Sequence, residues 1–223
     1  MTAGIEVINN SGTTLINDRD PVLVLREKRT VSGAPGASYV SGTATFSNTR
    51  FPVFAVKTPN WGFIHSVTKS GTDTIVKYGS YTEPGGSAIT VELFYFDVPT
   101  RSIGQSGAGL AIFNSSGLCM FDSNEKNAIV TSVNPPNGTW TGSPGRTYVM
   151  AFYSAWRRRI IRQTDLDYYS DRTYANAAKS INNTVVVNSE LMYAGGDNIP
   201  GNVSDSDTET GAKGGVILDV TGY

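Results

Sequence analysis

His65 is the only histidine and Cys119 the only cysteine among 223 residues, so chemistry that needs an imidazole or a thiolate has very little to work with. A Ser–His–acid triad would have to join His65 to a distant nucleophile and a distant acid. No local motif marks that nucleophile. Gly104-Gln105-Ser106-Gly107-Ala108 departs from the nucleophile-elbow pattern at its fifth position, where Ala stands in place of Gly. His65 lies in Trp61-Gly62-Phe63-Ile64-His65-Ser66-Val67, and strand alternation puts it on the face of Trp61 and Phe63 as a partly buried, hydrogen-bonded side chain. Cys119 stands among Leu118, Met120 and Phe121 and reads as a small core residue. One cysteine forms no intrachain disulfide, and one cysteine with one histidine does not fill a common zinc site.

Carboxylates offer two further arrangements. Asp205, Asp207 and Glu209 alternate as in part of a calcium loop, but the glycine comes at Gly211 and the terminal carboxylate is missing. The segment reads as a solvated loop. Asp165 and Asp167 are a lone pair of acids that does not define the spacing sugar hydrolysis needs. No phosphate-cradling P-loop or dinucleotide fingerprint occurs. The expectation is a protein that is not an enzyme, with no catalytic residues, no metal site and no cofactor.

Two stretches could bind instead of react. Trp156, Arg157, Arg158, Arg159 and Arg162 form the densest basic run. Beside an aromatic ring such a run could grip a nucleic acid. Against that, the chain has 18 basic and 19 acidic residues for a net charge of -1, and Asp165, Asp167 and Asp171 follow closely. No global field steers nucleic acid or an anionic membrane, so the run reads as a protein interface in which Arg forks pair with acids. The second stretch is Tyr168, Tyr169, Arg172 and Tyr174, whose rings and hydroxyls suit contact with a partner or glycan, or packing between halves of the protein.

These residues must be held by strands. The chain has 24 Gly and 10 Pro, and β-branched and aromatic residues make up most of its apolar clusters, a composition of short strands and tight turns. Residues 4–18 (GIEVINNSGTTLIND) match residues 109–123 (GLAIFNSSGLCMFDS), sharing Gly4/Gly109, Asn9/Asn114, Ser11/Ser116 and Gly12/Gly117. Residues 32–40 (SGAPGASYV) match 141–149 (TGSPGRTYV). The offsets, 105 and 109, suggest an internal duplication. The first match reads as a hairpin whose core residues are drawn from Ile5, Val7, Leu110 and Ile112.

Alternation places Ile89, Val91, Leu93 and Tyr95 on one face of a strand. Val22–Arg26 is apolar on both faces, as in a central or covered strand. Leu166–Lys179 reads as a helical turn or loop, and Gly195–Gly214 as an exposed, mobile connection. The turn-rich stretch from Pro99 to Gly109 suggests a boundary, giving an N-terminal β-domain over 1–103 and a related C-terminal one over 104–223. The expected fold is all-β, two related antiparallel β-sandwich or jelly-roll-like units, with a single larger barrel-like sandwich of pseudo-symmetric halves as the main competitor. Met1-Thr2-Ala3-Gly4-Ile5-Glu6 does not read as a secretory signal, and no run of about 20 apolar residues suits a membrane helix.

The glycine–apolar–variable–apolar–aromatic–Asn opening of Gly109–Asn114, with Gly117 and Phe121-Asp122-Ser123 after it, resembles small tail proteins of tailed bacteriophages. Gly4–Asp18 carries a weaker version, with Ile16-Asn17-Asp18 where Phe-Asp-Ser is expected. The resemblance implies a structural virion component near the tail tip or a side fibre, located in the virion tail after folding in the host cytoplasm. Its partners would be other phage tail proteins and further copies of itself, with no nucleic acid bound and no membrane insertion. The alternative is a tail module that binds a host-surface receptor or glycan through the 166–179 and 195–214 loops. A hydrolase of surface polysaccharide ranks third.

Overall fold

The computed structural model describes residues 6–8, 10, 14–17, 22–34, 37, 39–81, 89–104, 108–155, 157–165, 168–198, 206–211 and 214–223. Before the turn-rich boundary lie β1 (Glu6–Ile8), β2 (Thr14–Asn17), β3 (Val24–Ser32), β4 (Tyr39–Phe46), β5 (Val53–Lys57), β6 (Trp61–Ser70), β7 (Asp73–Tyr81) and β8 (Thr90–Asp97). After it come β9 (Ala111–Phe113), β10 (Cys119–Asp122), β11 (Ile129–Val133), β12 (Gly138–Thr141) and β13 (Tyr148–Phe152). The last five are β14 (Arg157–Asp165), β15 (Tyr168–Ile181), β16 (Thr184–Asn198), β17 (Ser206–Thr210) and β18 (Gly215–Asp219). The described residues contain no helix.

Two large antiparallel sheets pack face to face as a β-sandwich. The first has strand order β11-β18-β13-β5-β8-β3, and the second β12-β16-β15-β6-β7-β4. Along these orders each takes three strands from before residue 104 and three from after it, and the second sheet also carries β14 and β17 beside β15. The halves mirror one another in connectivity: β3-β8-β5 answers β11-β18-β13, and β4-β7-β6 answers β12-β16-β15. They meet where β5 pairs antiparallel with β13 and β6 with β15. Counterpart strands pairing antiparallel on both sheets is the geometry of a local two-fold axis through the sandwich.

The register repeats as well as the order. Glu6↔Asn17, Val7↔Ile16 and Ile8↔Thr14 recur 105 residues later as Ala111↔Asp122, Ile112↔Phe121 and Phe113↔Cys119, with the same irregularity in each ladder. Val24↔Asp97, Leu25↔Phe96 and Glu27↔Tyr95 recur as Ile129↔Asp219, Val130↔Leu218 and Ser132↔Ile217. Both ladders carry a bulge at one residue, Arg26 in one and Thr131 in the other. Bulges insert an unpaired residue at a defined place, and the two ladders place theirs alike. The turns after β6 and β15 also correspond, each with a left-handed residue, Gly71 (φ 61°) and Asn182 (φ 52°), as a tight hairpin requires. The 32–40/141–149 match does not join counterparts. Tyr39 opens β4 at a sheet edge, whereas Tyr148 opens β13 at the centre of the other sheet; the likeness is one of turn residues.

The core follows from alternation. Ile89, Val91, Leu93 and Tyr95, with Phe54 and Val56, face Phe46, Ile64, Val76 and Tyr78 across the sandwich. In the second half Tyr148, Met150 and Ile217 face Ala178, Val185 and Val187. Each large apolar side chain buried this way contributes about 1.5–3 kcal/mol. The other side of the first sheet is apolar too. Phe94, Phe96, Ala55, Val149, Ala151 and Leu218 are buried there, with Leu23, Leu25 and Tyr223 packed against them.

Of the two readings of Val22–Arg26, central or covered, the covered one holds: β3 is the edge of its sheet, and its entrance is covered because Val22 N–H donates to the Met120 carbonyl and Leu25 N–H to that of Lys126. Three expectations need correction. Leu110 is half exposed, since it precedes β9, while Ile112 is buried. The segment from Tyr168 is strand, not helix or loop, because β14 and β16 both pair with it. In the supposed mobile connection, β16 runs on to Asn198 and Ser206–Thr210 forms β17.

Candidate functional site

The β13–β15 and β16–β18 connections each contain a strand with no counterpart among the described residues of the first half. There β5 passes to β6 through Thr58–Asn60 alone, whereas β14 is inserted between β13 and β15, and β17 between β16 and β18. β14 pairs with β15 and β17 only. β15 leaves β6 after the Ala178↔Gly62 bridge and pairs with β14 from Ala175 outward. Tyr168–Tyr174, roughly 20 Å of strand, is therefore held between β14 and β16, with β17 beyond β14.

This four-stranded ribbon brings together the two stretches that the sequence marks as binding candidates. Arg157 pairs in register with Ala175, Arg158 with Tyr174, Arg159 with Thr173 and Arg162 with Ser170. Tyr169 lies opposite Gln163, Tyr168 opposite Asp165, and Arg172 opposite Ile160. Arg159, Arg162 and Arg172 are exposed. Trp156 lies outside the described residues, as do Asp167 and Asp205. Arg158 donates from Nε and Nη2 to Oδ1 and Oδ2 of Asp207, at 2.9 and 2.6 Å, the bidentate fork that guanidinium and carboxylate favour. That fork lowers the Asp207 carboxyl below its usual range, with Arg162 adding to the effect. Arg162 Nη1 donates to the Ser206 carbonyl at 3.3 Å. Of the acids in the calcium-like segment, Asp207 thus ties β17 to β14.

The residues considered for chemistry are dispersed. A β-bulge between Ile64 and Ser66 interrupts the alternation of β6, so His65 is exposed and does not share the buried environment of Trp61 and Phe63. Cys119 is buried, and burial chiefly raises its thiol above the usual range, although its Sγ–H donates to the Phe121 carbonyl at 3.2 Å. Among the described residues no group of three His, Cys, Asp or Glu side chains is placed to hold a metal ion, and no helix is long and apolar enough to cross a membrane.

One concave site escaped the sequence reading. A cleft of about 590 Å³ opens between the edge strands β3 and β4, lined by Arg26, Arg29, Arg50, Phe46, Tyr95 and Asp97 among others. Asp97 is buried and accepts the backbone N–H groups of Arg50, Phe51 and Val98, each at 2.8 Å, and the Tyr95 hydroxyl at 2.7 Å. Burial first, and the Asp97 carboxylate second, push the Tyr95 phenol well above its usual range, so it remains a donor. The lining residues come from positions 26 to 100, and no short motif joins them. The one available signal was Asp97-Val98, repeated as Asp219-Val220.

Comparison with protein-family models, with curated proteins and with solved structures returns no match for this chain.

Proposed function

We propose that this chain is a non-enzymatic structural component of a bacteriophage tail, and that the β14–β17 ribbon is the surface by which it assembles with neighbouring tail proteins or with its own copies. The observation that carries this reading is the ribbon's asymmetry. Among the described residues β14 and β17 occur in one half of the sandwich only, and they bring the Arg-rich and Tyr-rich stretches into register. Arg and Tyr are enriched at the centres of protein interfaces. The likeness of Gly109–Ser123 to a tail-protein hairpin supports the location in the virion.

The ribbon suits an interface because its register is fixed from both sides, by β16 and by the Arg158–Asp207 fork. A partner therefore meets a surface already ordered. The test is charge reversal at exposed ribbon positions, Arg159→Glu with Arg172→Glu, in virus produced in the host. The reading expects a folded variant that is lost from purified tails by tenfold or more. Normal incorporation of the variant would refute the ribbon as the assembly surface.

A further inference from the structure

The cleft between β3 and β4 has the size and donors of a small-ligand site, and the second half supplies an internal control for it. We propose that it binds a sugar residue carrying one anionic group, a carboxylate or a phosphate. Three guanidinium groups reach the cleft, and their states differ. Arg29 pairs with Glu27 and lies 5.8 Å from the centre of the Phe46 ring. Arg26 donates to Glu125 at 3.3 Å and to the Thr100 hydroxyl at 3.1 Å. Arg50 is exposed and has no carboxylate partner among the described residues. Its guanidinium is the charge open to a ligand.

The acids in the cleft do not cancel that charge. Glu27 is engaged by Arg29, and all the donors gathered on Asp97 disperse its negative charge into the protein. Arg50 and Asp97 are linked, since the Arg50 backbone N–H is one of those donors. The buried carboxylate thereby fixes the backbone from which the open guanidinium projects. The rest of the lining supplies hydroxyls and an amide, Thr45, Ser47, Asn48 and Thr100. Short polar groups around a cationic anchor match the ring hydroxyls of a sugar, and about 590 Å³ falls within the range of small-molecule sites. A flat protein surface would leave such a concavity unfilled.

At the corresponding end of the second half most of the lining differs. The bulge residue Arg26 becomes Thr131, and Tyr95 becomes Ile217. Phe46, opposite Thr74, becomes Trp140, opposite Val185, and Trp140 packs edge-on against Tyr148 with ring centres 4.8 Å apart. Arg50 does have a counterpart, Arg146, because Val53 pairs with Phe96 as Val149 pairs with Leu218, but Arg146 is committed to Asp219 at 2.6 Å. The two copies share a scaffold, and only the first combines Arg26 with an arginine that has no carboxylate partner among the described residues.

The test uses the full chain and measures binding by amide chemical-shift changes with five probes: glucuronate, glucose 6-phosphate, glucose, acetate and inorganic phosphate. At least one of the charged sugars should bind about tenfold more tightly than glucose and than its matching simple anion, with shifts at Arg50, Asn48 and Thr100. Arg50→Gln should weaken that binding about tenfold or more while leaving thermal unfolding unchanged. Preference for glucuronate assigns a uronic acid, and preference for glucose 6-phosphate a phosphorylated sugar. No binding of either charged sugar, equal binding of glucose, equal binding of the simple anions, or an unaffected Arg50→Gln variant would each overturn the proposal.

Discussion

Asp97 and Asp219 stand at the same register position in the two halves, opposite Val24 and Ile129, and both are buried. Their carboxylates serve different partners. Asp97 collects three backbone N–H groups and the Tyr95 hydroxyl, whereas Asp219 accepts the Thr221 N–H at 2.9 Å and the Arg146 guanidinium at 2.6 Å. The same register position is a clamp on the cleft backbone in the first half and a partner of an exposed arginine in the second.

That difference sets the cost of removing each charge. Asp97→Asn keeps the shape but has one acceptor oxygen where two served four donors. It should destabilise by about 2–4 kcal/mol, since buried donors lose charge-assisted partners. Asp219→Asn should cost less, about 1–2 kcal/mol, because the half-exposed Arg146 regains water. Urea unfolding of the two variants, with m-values unchanged, checks the ranking.

The acid limb of stability should follow carboxylates held below their usual range. Burial raises the Glu92 carboxyl, but hydrogen bonds and charge from Lys57 and Lys28 outweigh it and leave Glu92 lowered from 4.5. Asp219 is lowered from 3.8 in the same way, with Thr221 and Arg146 outweighing burial. A carboxyl lowered in the folded state stabilises above its unfolded value, and that contribution disappears as pH falls through the folded one. Stability should therefore be level above about pH 5 and decline below about pH 4.5. Glu92→Gln should show a smaller loss between about pH 6 and pH 3 than the parent chain, measured by denaturant unfolding at each pH.

Much of this fold was legible because alternation is a local property. Ile89, Val91, Leu93 and Tyr95 do line one buried face, and the 105-residue repeat marks two hairpins that pair alike. What local pattern could not show was pairing at a distance. β15 was obscured because Tyr168–Lys179 is polar, and its strand conformation comes from β14 and β16 on either side. β17, Ser-Asp-Thr-Glu-Thr, has no apolar face, and β14 with the Arg158–Asp207 fork holds it. The bulge beside His65 reverses a face assignment that alternation alone would give. The ribbon candidates were found as separate stretches and the cleft was not found, because its residues converge only when β3 and β4 become facing edges.

The seam between the halves should make them depend on each other. Residues 1–103 alone would expose β5 and β6 as bare edges, which invite pairing with another chain. The fragment should appear in light scattering as a dimer or larger species; a stable, folded monomer would contradict the seam's role. In the full chain, a Cβ added at Gly62 would lie 2.6 Å from Thr58 Cγ2 and 3.5 Å from the Ala178 carbonyl oxygen. Gly62→Val should destabilise by about 1–3 kcal/mol through overpacking at the seam.

Amide hydrogen exchange of the chain, free and within purified tails, tests the assembly role of the ribbon most directly. Amides of Arg157–Asp165 and Tyr168–Tyr174 should gain protection on assembly, with β11 and β3 exchanging as before. Ribbon amides that exchange at the same rate in both states, with new protection elsewhere, would contradict it.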